Sequence, residues 1–231
     1  MLQICDLYVE LAGSRAILRG VSLKAPEASI TGLFGDSGCG KSTLALAILG
    51  LLPPAYRVRG EILFRGRNLT ALAEREWSEV RGAQIAMIFQ DPLLALNPVL
   101  RVRTQLTEIL RAHEVSRDPA ELLALAGLRG AERILDSYPH QLSGGERQRV
   151  TIAQALACRP ALIIADEPFT ALDPPRTVEL IALFRRLRAD LGTSFLLISH
   201  SPGVLATAAD QTYRLAAGRL EAAQPTGALD A

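Results

Sequence analysis

The sequence predicts an α/β domain, and three observations carry that prediction. Short apolar runs at residues 29–34, 84–89, 161–165 and 195–199 have the length and aliphatic content of buried strands. Longer stretches with helical periodicity lie between them, as an α/β layout requires. Each run leads into a glycine or a polar residue, at Gly35, Gln90, Asp166 and His200. In open α/β sheets the carboxyl ends of the strands are where ligands bind.

The elements follow in order. Residues 1–31 read as short strands, with Leu2, Ile4, Leu7, Val9 and Leu11 approximating the alternation of a half-buried strand. A buried strand over 29–34 runs directly into a Gly-rich loop. A helix starts at Gly40 or Lys41 and stops near Leu51, at Gly50 and Pro53. Residues 60–64 form another strand, Arg65-Gly66-Arg67-Asn68 a turn, and 71–80 a helical stretch. From Asp91 to about Cys158 the pattern is helical, punctuated by Pro98, Pro119 and Pro139. An amphipathic helix over 177–189 presents Val178, Leu180, Ile181, Leu183, Phe184 and Leu187. The run at 195–199 is the last core strand expected. No internal repeat or low-complexity segment interrupts this order.

Length and composition narrow the function classes. A chain of 231 residues with 49% hydrophobic and 21% charged residues supports one folded domain with a real core. A net charge of +1 gives no bulk electrostatic reason to expect nucleic acid or an anionic membrane surface as partner. Cys5, Cys39 and Cys158 are far apart and match no metal spacing, which points to a reducing compartment. No secretory signal is visible. The uncharged stretch 42–56 is broken by Pro53-Pro54 and falls short of the roughly 20 residues a spanning helix needs. Work at a membrane would require another subunit to do the spanning.

Four motifs carry chemistry. Gly35-Asp36-Ser37-Gly38-Cys39-Gly40-Lys41-Ser42, continued by Thr43, matches the Walker A phosphate loop and stands between a strand and a helix. Its glycines let backbone N–H groups turn inward around phosphate, and the helix N-terminus adds partial positive charge. Lys41 is expected at the β- and γ-phosphates of ATP, and the Ser42 hydroxyl on Mg²⁺. Leu162-Ile163-Ile164-Ala165-Asp166-Glu167 is an apolar strand ending in two acids, a Walker B pattern. Adjacent side chains at a strand end diverge, so Asp166 can face the metal while Glu167 faces an attacking water as general base. In Leu142-Ser143-Gly144-Gly145-Glu146 a serine caps a helix and leaves glycine N–H groups open to phosphate. His200 directly follows the last core strand, whereas His113 and His140 lack such support and read as structural.

At Leu142–Glu146 the chain strongly resembles the ABC-transporter ATPases, whose signature is LSGGE/Q, and the resemblance covers nearly the whole chain. It implies a P-loop NTPase ABC-ATPase fold with a RecA-like core, an antiparallel β subdomain and a helical signature subdomain. One domain would span 1–231, with core and β subdomain at 1–90 and 159–231 and the helical subdomain at about 91–158. Gln90 matches the glutamine that touches Mg²⁺ in the family. Ala171-Leu172-Asp173 matches the loop that crosses to a partner subunit, and His200 the histidine that senses γ-phosphate. Ser143, Gly144 and Gly145 would serve the other nucleotide site of a head-to-tail dimer, homo- or heteromeric. Further implied partners are two transmembrane permease subunits and, indirectly, an extracytoplasmic substrate-binding protein. The expected location is the cytoplasmic face of the inner membrane, as a peripheral subunit, with no nucleic acid involved.

Two departures from the family pattern matter. The family places an adenine-stacking aromatic near 11–13, where this chain has Leu11-Ala12-Gly13, and Tyr8 is the nearest aromatic. Phe169 stands where threonine or serine commonly follows Glu167-Pro168, a change expected to affect packing more than chemistry. Met87-Ile88-Phe89-Gln90-Asp91-Pro92, Ala95-Leu96-Asn97-Pro98 and Ser137-Tyr138-Pro139-His140-Gln141 resemble the peptide/nickel importer branch. Many peptide-importing members carry a long C-terminal extension. This chain ends soon after Gly218-Arg219-Leu220 and is more similar to the shorter nickel or metal-chelate subunits. An ABC-type ATPase of a soluble enzyme assembly, as in phosphonate breakdown, is the alternative. A non-hydrolytic sensor is disfavoured because Lys41, Asp166, Glu167 and His200 are all present.

Overall fold

A computed structural model describes residues 1–12, 16–170 and 172–225. In chain order the strands are β1 (Leu2–Leu11), β2 (Ala16–Ala25), β3 (Ile30–Phe34), β4 (Tyr56–Phe64), β5 (Arg67–Asn68), β6 (Ile85–Ile88), β7 (Leu162–Asp166), β8 (Ser194–Ser199), β9 (Gln211–Ala216) and β10 (Arg219–Pro225). The helices are α1 (Lys41–Ile48), α2 (Pro92–Ala95), α3 (Val102–Ala112), α4 (Pro119–Leu125), α5 (Ala131–Asp136), α6 (Gly144–Leu156), α7 (Pro174–Leu191) and α8 (Pro202–Ala208).

Two sheets organise these elements. The first is antiparallel, in the order β2-β1-β4-β5. The second has the order β10-β9-β3-β8-β7-β6, parallel from β9 to β6, with β10 antiparallel at one edge. Every residue of β7 and β8 is buried, which explains their unbroken apolar sequence: a parallel strand covered on both faces has no polar side. Ile163, Phe195 and Leu197 pack toward α3–α7, and Leu162, Ile164, Leu196 and Ile198 toward α1 and the antiparallel sheet. The alternation is the two-residue period of a strand sorted onto two cores. Asp210 fastens the start of β3 by accepting from the Ile30 N–H at 2.7 Å, while Arg188 of α7 grips both its oxygens at 2.8 and 2.9 Å.

Because β3, β8, β7 and β6 are parallel neighbours, their carboxyl ends share one edge. Gly35, His200, Asp166 and the Gln90 segment therefore emerge side by side, although up to 165 positions (200 − 35) separate them in the chain.

The structure differs from the sequence expectations at three places. The stretch 71–80 is not an α-helix but two 3₁₀ turns, Leu69–Ala71 and Glu74–Glu79. Its burial repeats every three residues, with Trp77 and Val80 inside. The Glu76 carboxylate accepts from the Ala73 N–H at 2.8 Å, and Val80 N–H bonds to Trp77 O at 3.0 Å, tightening the turn. Second, β8 is not the last core strand. β9 continues the parallel sheet, with only Thr212, Tyr213 and Leu215 buried, a pattern too short and too polar to stand out. Third, the helix expected over 177–189 is longer. Asp173 caps it by accepting from Arg176 N–H at 2.9 Å, prolines occupy its first turn, and Gly192 ends it with a φ of 69°. Among the described residues no helix is long and apolar enough to cross a membrane.

Candidate active site

The loop between β3 and α1 takes its shape from sterics. A β-carbon at Gly35 would lie 2.1 Å from the Leu215 carbonyl oxygen, so only glycine passes there. Gly40 caps α1 with a φ of 114°, a region other residues avoid. Between them the loop turns its backbone around a cleft. The Lys41 ammonium bonds to the carbonyls of Gly35 and Asp36 at 2.8 and 3.0 Å, which holds the charge over the loop. The cleft is ≈ 410 Å³ and is lined by Ser37, Gly38, Gly40, Lys41, Ser42, Thr43, Gln90, Asp166, Glu167 and His200 among others. Asp36 and Cys39 belong to the loop but do not line the cleft; the Cys39 N–H bonds to Asp36 O at 3.3 Å.

Asp166 ends β7 and is buried. Burial pushes its carboxyl above the usual aspartate range, and Glu167 adds to this; the nearby Ser42 hydroxyl and Lys41 pull the other way. Its Oδ1 is buried with no hydrogen-bond partner among the described residues. A buried, orphaned carboxylate oxygen beside a hydroxyl and an amide is a fit for a hard cation. No group of three or more His, Cys, Asp or Glu able to hold a metal occurs among the described residues. One buried carboxylate beside a hydroxyl and an amide is a donor set that suits Mg²⁺, which takes one or two carboxylates and completes its shell with phosphate and water.

Glu167 takes a φ of 50°, rare for a residue with a side chain. Its N–H donates to Ile198 O at 2.9 Å, so β8 helps to hold the turn. Its Oε2 lies 2.8 Å from His200 Nδ1. An ionised carboxylate only accepts, so a hydrogen bond here is one that Nδ1 donates. The carboxylate is 11% exposed and the imidazole 65%, so the acid is shielded while the ring is open.

The signature segment does not line this cleft, but Gly144 and Gly145 line an adjoining one that shares Gln90, Glu167 and Thr170 with it. Ser143 accepts from Glu146 N–H at 3.2 Å, and the Glu146 carboxylate accepts from Ser143 N–H at 2.8 Å, a reciprocal cap of α6. That bond and Arg133 hold the Glu146 carboxyl below its usual range. Gly144 has ordinary helical backbone, and a β-carbon there would meet nothing nearer than 4.0 Å. Gly145 would meet nothing at all. Among the described residues nothing within 4 Å would be crowded by a side chain at either glycine. Asp173 is exposed and caps α7, with Leu172 before it; Ala171 of the same motif lies outside the described residues.

Sequence reasoning missed two lining residues. Ile17 of β2 forms the apolar wall of the cleft beside Gly38 and Gly40, and Thr170 lies 3.4 Å from Glu167 Oε2. No motif marks an isoleucine in a strand that pairs far from the loop in sequence. At the position of the missing aromatic, the Ala12 N–H bonds to Ala55 O at 2.9 Å, and Gly13 lies outside the described residues. Tyr8 is not part of the cleft; it lies under the Arg59 guanidinium at 5.7 Å. Phe169 is buried edge-on to Phe184, with 6.2 Å between ring centroids.

Residues 18–170 match the sequence profile of the ABC transporter family. The chain belongs to that family. The chain is similar to a probable peptide ABC transporter ATP-binding protein of Sinorhizobium fredii, 44% identical over 95% of this chain and 69% of the relative. It is also similar to the oligopeptide transport ATP-binding protein OppD of Bacillus subtilis, 42% identical over 95% of this chain and 64% of the relative. This chain thus spans about two thirds of the length of these relatives. Among solved structures, a dimeric ATP-binding cassette, MJ0796, in a post-hydrolysis state with ADP and phosphate superposes with a TM-score of 0.83. It is 26% identical, over 98% of this chain and 99% of that one. This ABC protein is an ATPase with the P-loop ABC-ATPase fold.

Proposed function

We propose that this chain is the ATP-hydrolysing subunit of a peptide importer, working with Mg²⁺ and a second ATPase subunit. The buried, unpartnered Asp166 Oδ1 facing the cleft of Lys41, Ser42 and Gln90 carries the catalytic part of this reading. The phosphate-loop N–H groups and Lys41 would bind the β- and γ-phosphates, and Ser42, Gln90 and Asp166 would hold Mg²⁺. The cation, when bound, neutralises charge developing on the phosphate oxygens. Glu167 accepts a proton from the attacking water, whose oxygen bonds to the γ-phosphorus as the bond to ADP breaks. His200 orients Glu167 through Nδ1 and offers Nε2 to the γ-phosphate side. Ile17 supports the adenine in place of an aromatic residue.

The open space at Gly144 and Gly145 supports the dimer. Glycines that the chain itself does not need leave room for a phosphate brought by a partner, which Ser143 and the α6 N-terminus then bind. Asp173 lies at the same junction. The partner is a copy of this chain or a related subunit. An exposed apolar stripe after β6 supports permease docking: Phe89, Leu93, Leu94 and Val99 are 43–86% exposed. Two permease subunits would span the membrane, with this chain on its cytoplasmic face and a substrate-binding protein acting from outside. Peptide as cargo follows from the names of the relatives; nickel and metal chelates lack that support.

Purification of the chain from membranes, followed by mass analysis, tests the assembly. Two permease subunits and a second ATPase in the complex, with loss of peptide uptake when the gene is deleted, are expected. A complex containing only soluble enzymes would favour the soluble-assembly alternative.

A further inference from the structure

The turn that carries Glu167 is held by three other elements. Its backbone sits at a φ of 50°, a conformation that persists only where the surroundings over-determine it. β8 supplies one fastener, Ile198 O accepting from the Glu167 N–H. α7 supplies another, Phe184 against the Phe169 ring. The third comes from α6, where the Gln148 side-chain amide donates to the carbonyl of Pro168. Pro168 is buried, so its carbonyl depends on a protein donor. Among the described residues this is the only side-chain hydrogen bond between α6 and residues 166–172.

We infer that Gln148 is a positioning residue for hydrolysis, tying the helix that begins at Ser143 to the turn that aims Glu167. Gln148 stands about one helical turn beyond Ser143-Gly144-Gly145 on the same rigid helix. Its bond ends on the residue directly after Glu167. A shift of α6 on engaging phosphate in the partner's site therefore reaches the carboxylate of this chain's own site. Gly144, Gly145, Gln148, Glu167 and Pro168 line one cleft, so the start of α6 and the Glu167 turn face each other there. The two sites of the dimer would then be coupled within each chain, as well as across the interface. The inference rests on the reading of Glu167 as the base.

The test uses Gln148→Met, which keeps length but has no donor, and Gln148→Lys, which restores one. Steady-state hydrolysis of Mg-ATP by the purified transporter complex carrying the variant is measured beside the melting temperature of the chain. For Gln148→Met we expect kcat to fall about tenfold, with KM within about twofold and melting unchanged. Gln148→Lys is expected to recover at least half of the lost rate on a logarithmic scale. Wild-type kcat in Gln148→Met would overturn the inference, and so would parallel loss of kcat and stability with no rescue by lysine. Glu167→Gln in the same assay separates the two readings. If it is inactive while Gln148→Met is normal, only the positioning role fails; if it turns over normally, the base assignment fails and the inference with it.

Discussion

Asp166 combines two demands that conflict in an apoprotein: it must be buried to sit at the strand end, and charged to hold a cation. Its carboxyl is raised, so the unfolded chain ionises first as pH climbs. The fold then loses stability between the ordinary aspartate value, about 3.9, and the raised one. Without nucleotide or Mg²⁺, Asp166→Asn should melt no lower than wild type above that window and lose its relative advantage below it. With Mg-ATP the order should reverse, because only the carboxylate gains a cation. Melting curves from about pH 3 to pH 8 check both signs. Lys41→Ala removes the ammonium held by Gly35 and Asp36 carbonyls, and should weaken ATP binding at least about tenfold, read by nucleotide titration. At this scale the sequence was most legible. Loop, carboxylate pair and histidine are short patterns in which each residue type has one chemical use. Ile17 and Thr170 were not legible, because they enter the cleft through tertiary placement and carry no distinctive chemistry. The unusual backbone of Glu167 was likewise invisible, since nothing in Asp-Glu-Pro specifies a positive φ.

Elements translate these residues into geometry. Ser143 both starts α6 and faces open space, so its two roles can be separated by substitution. Ser143→Ala should cost about 1 kcal/mol of stability through the lost cap, measured by denaturant unfolding. Ser143→Arg should fill the approach at Gly144 and Gly145 as well. ATP binding by its own cleft should persist while hydrolysis by an assembly containing it drops; full activity in that assembly would refute the shared site. In the core, Phe184 lies between Phe169 and Phe195, at centroid distances of 6.2 and 5.0 Å. Truncating the fully buried Phe195 to alanine should cost about 3–5 kcal/mol. Strands and long helices were readable because burial on two faces, or on one stripe, imposes a period. The 3₁₀ turns at Leu69–Glu79 and the strands after β8 were not. In both, few residues are buried, and specific hydrogen bonds and neighbouring strands decide the conformation.

At the scale of the whole molecule, topology does what no local pattern does. Four parallel neighbours, β3, β8, β7 and β6, deliver Gly35, His200, Asp166 and the Gln90 segment to one edge. The alternation of strands and helices announced an α/β fold, but strand order, and with it the contact between Glu167 and His200, came only from the folded chain. The same edge brings the signature glycines Gly144 and Gly145 into a cleft that adjoins the phosphate-loop cleft at Gln90, Glu167 and Thr170. On the proposed mechanism this edge hydrolyses ATP with Glu167 as base. The most direct test is steady-state turnover of Mg-ATP by Glu167→Gln beside wild type, with nucleotide affinity measured on both. Turnover reduced at least about 100-fold at unchanged affinity is the predicted result. Turnover equal to wild type would contradict the account.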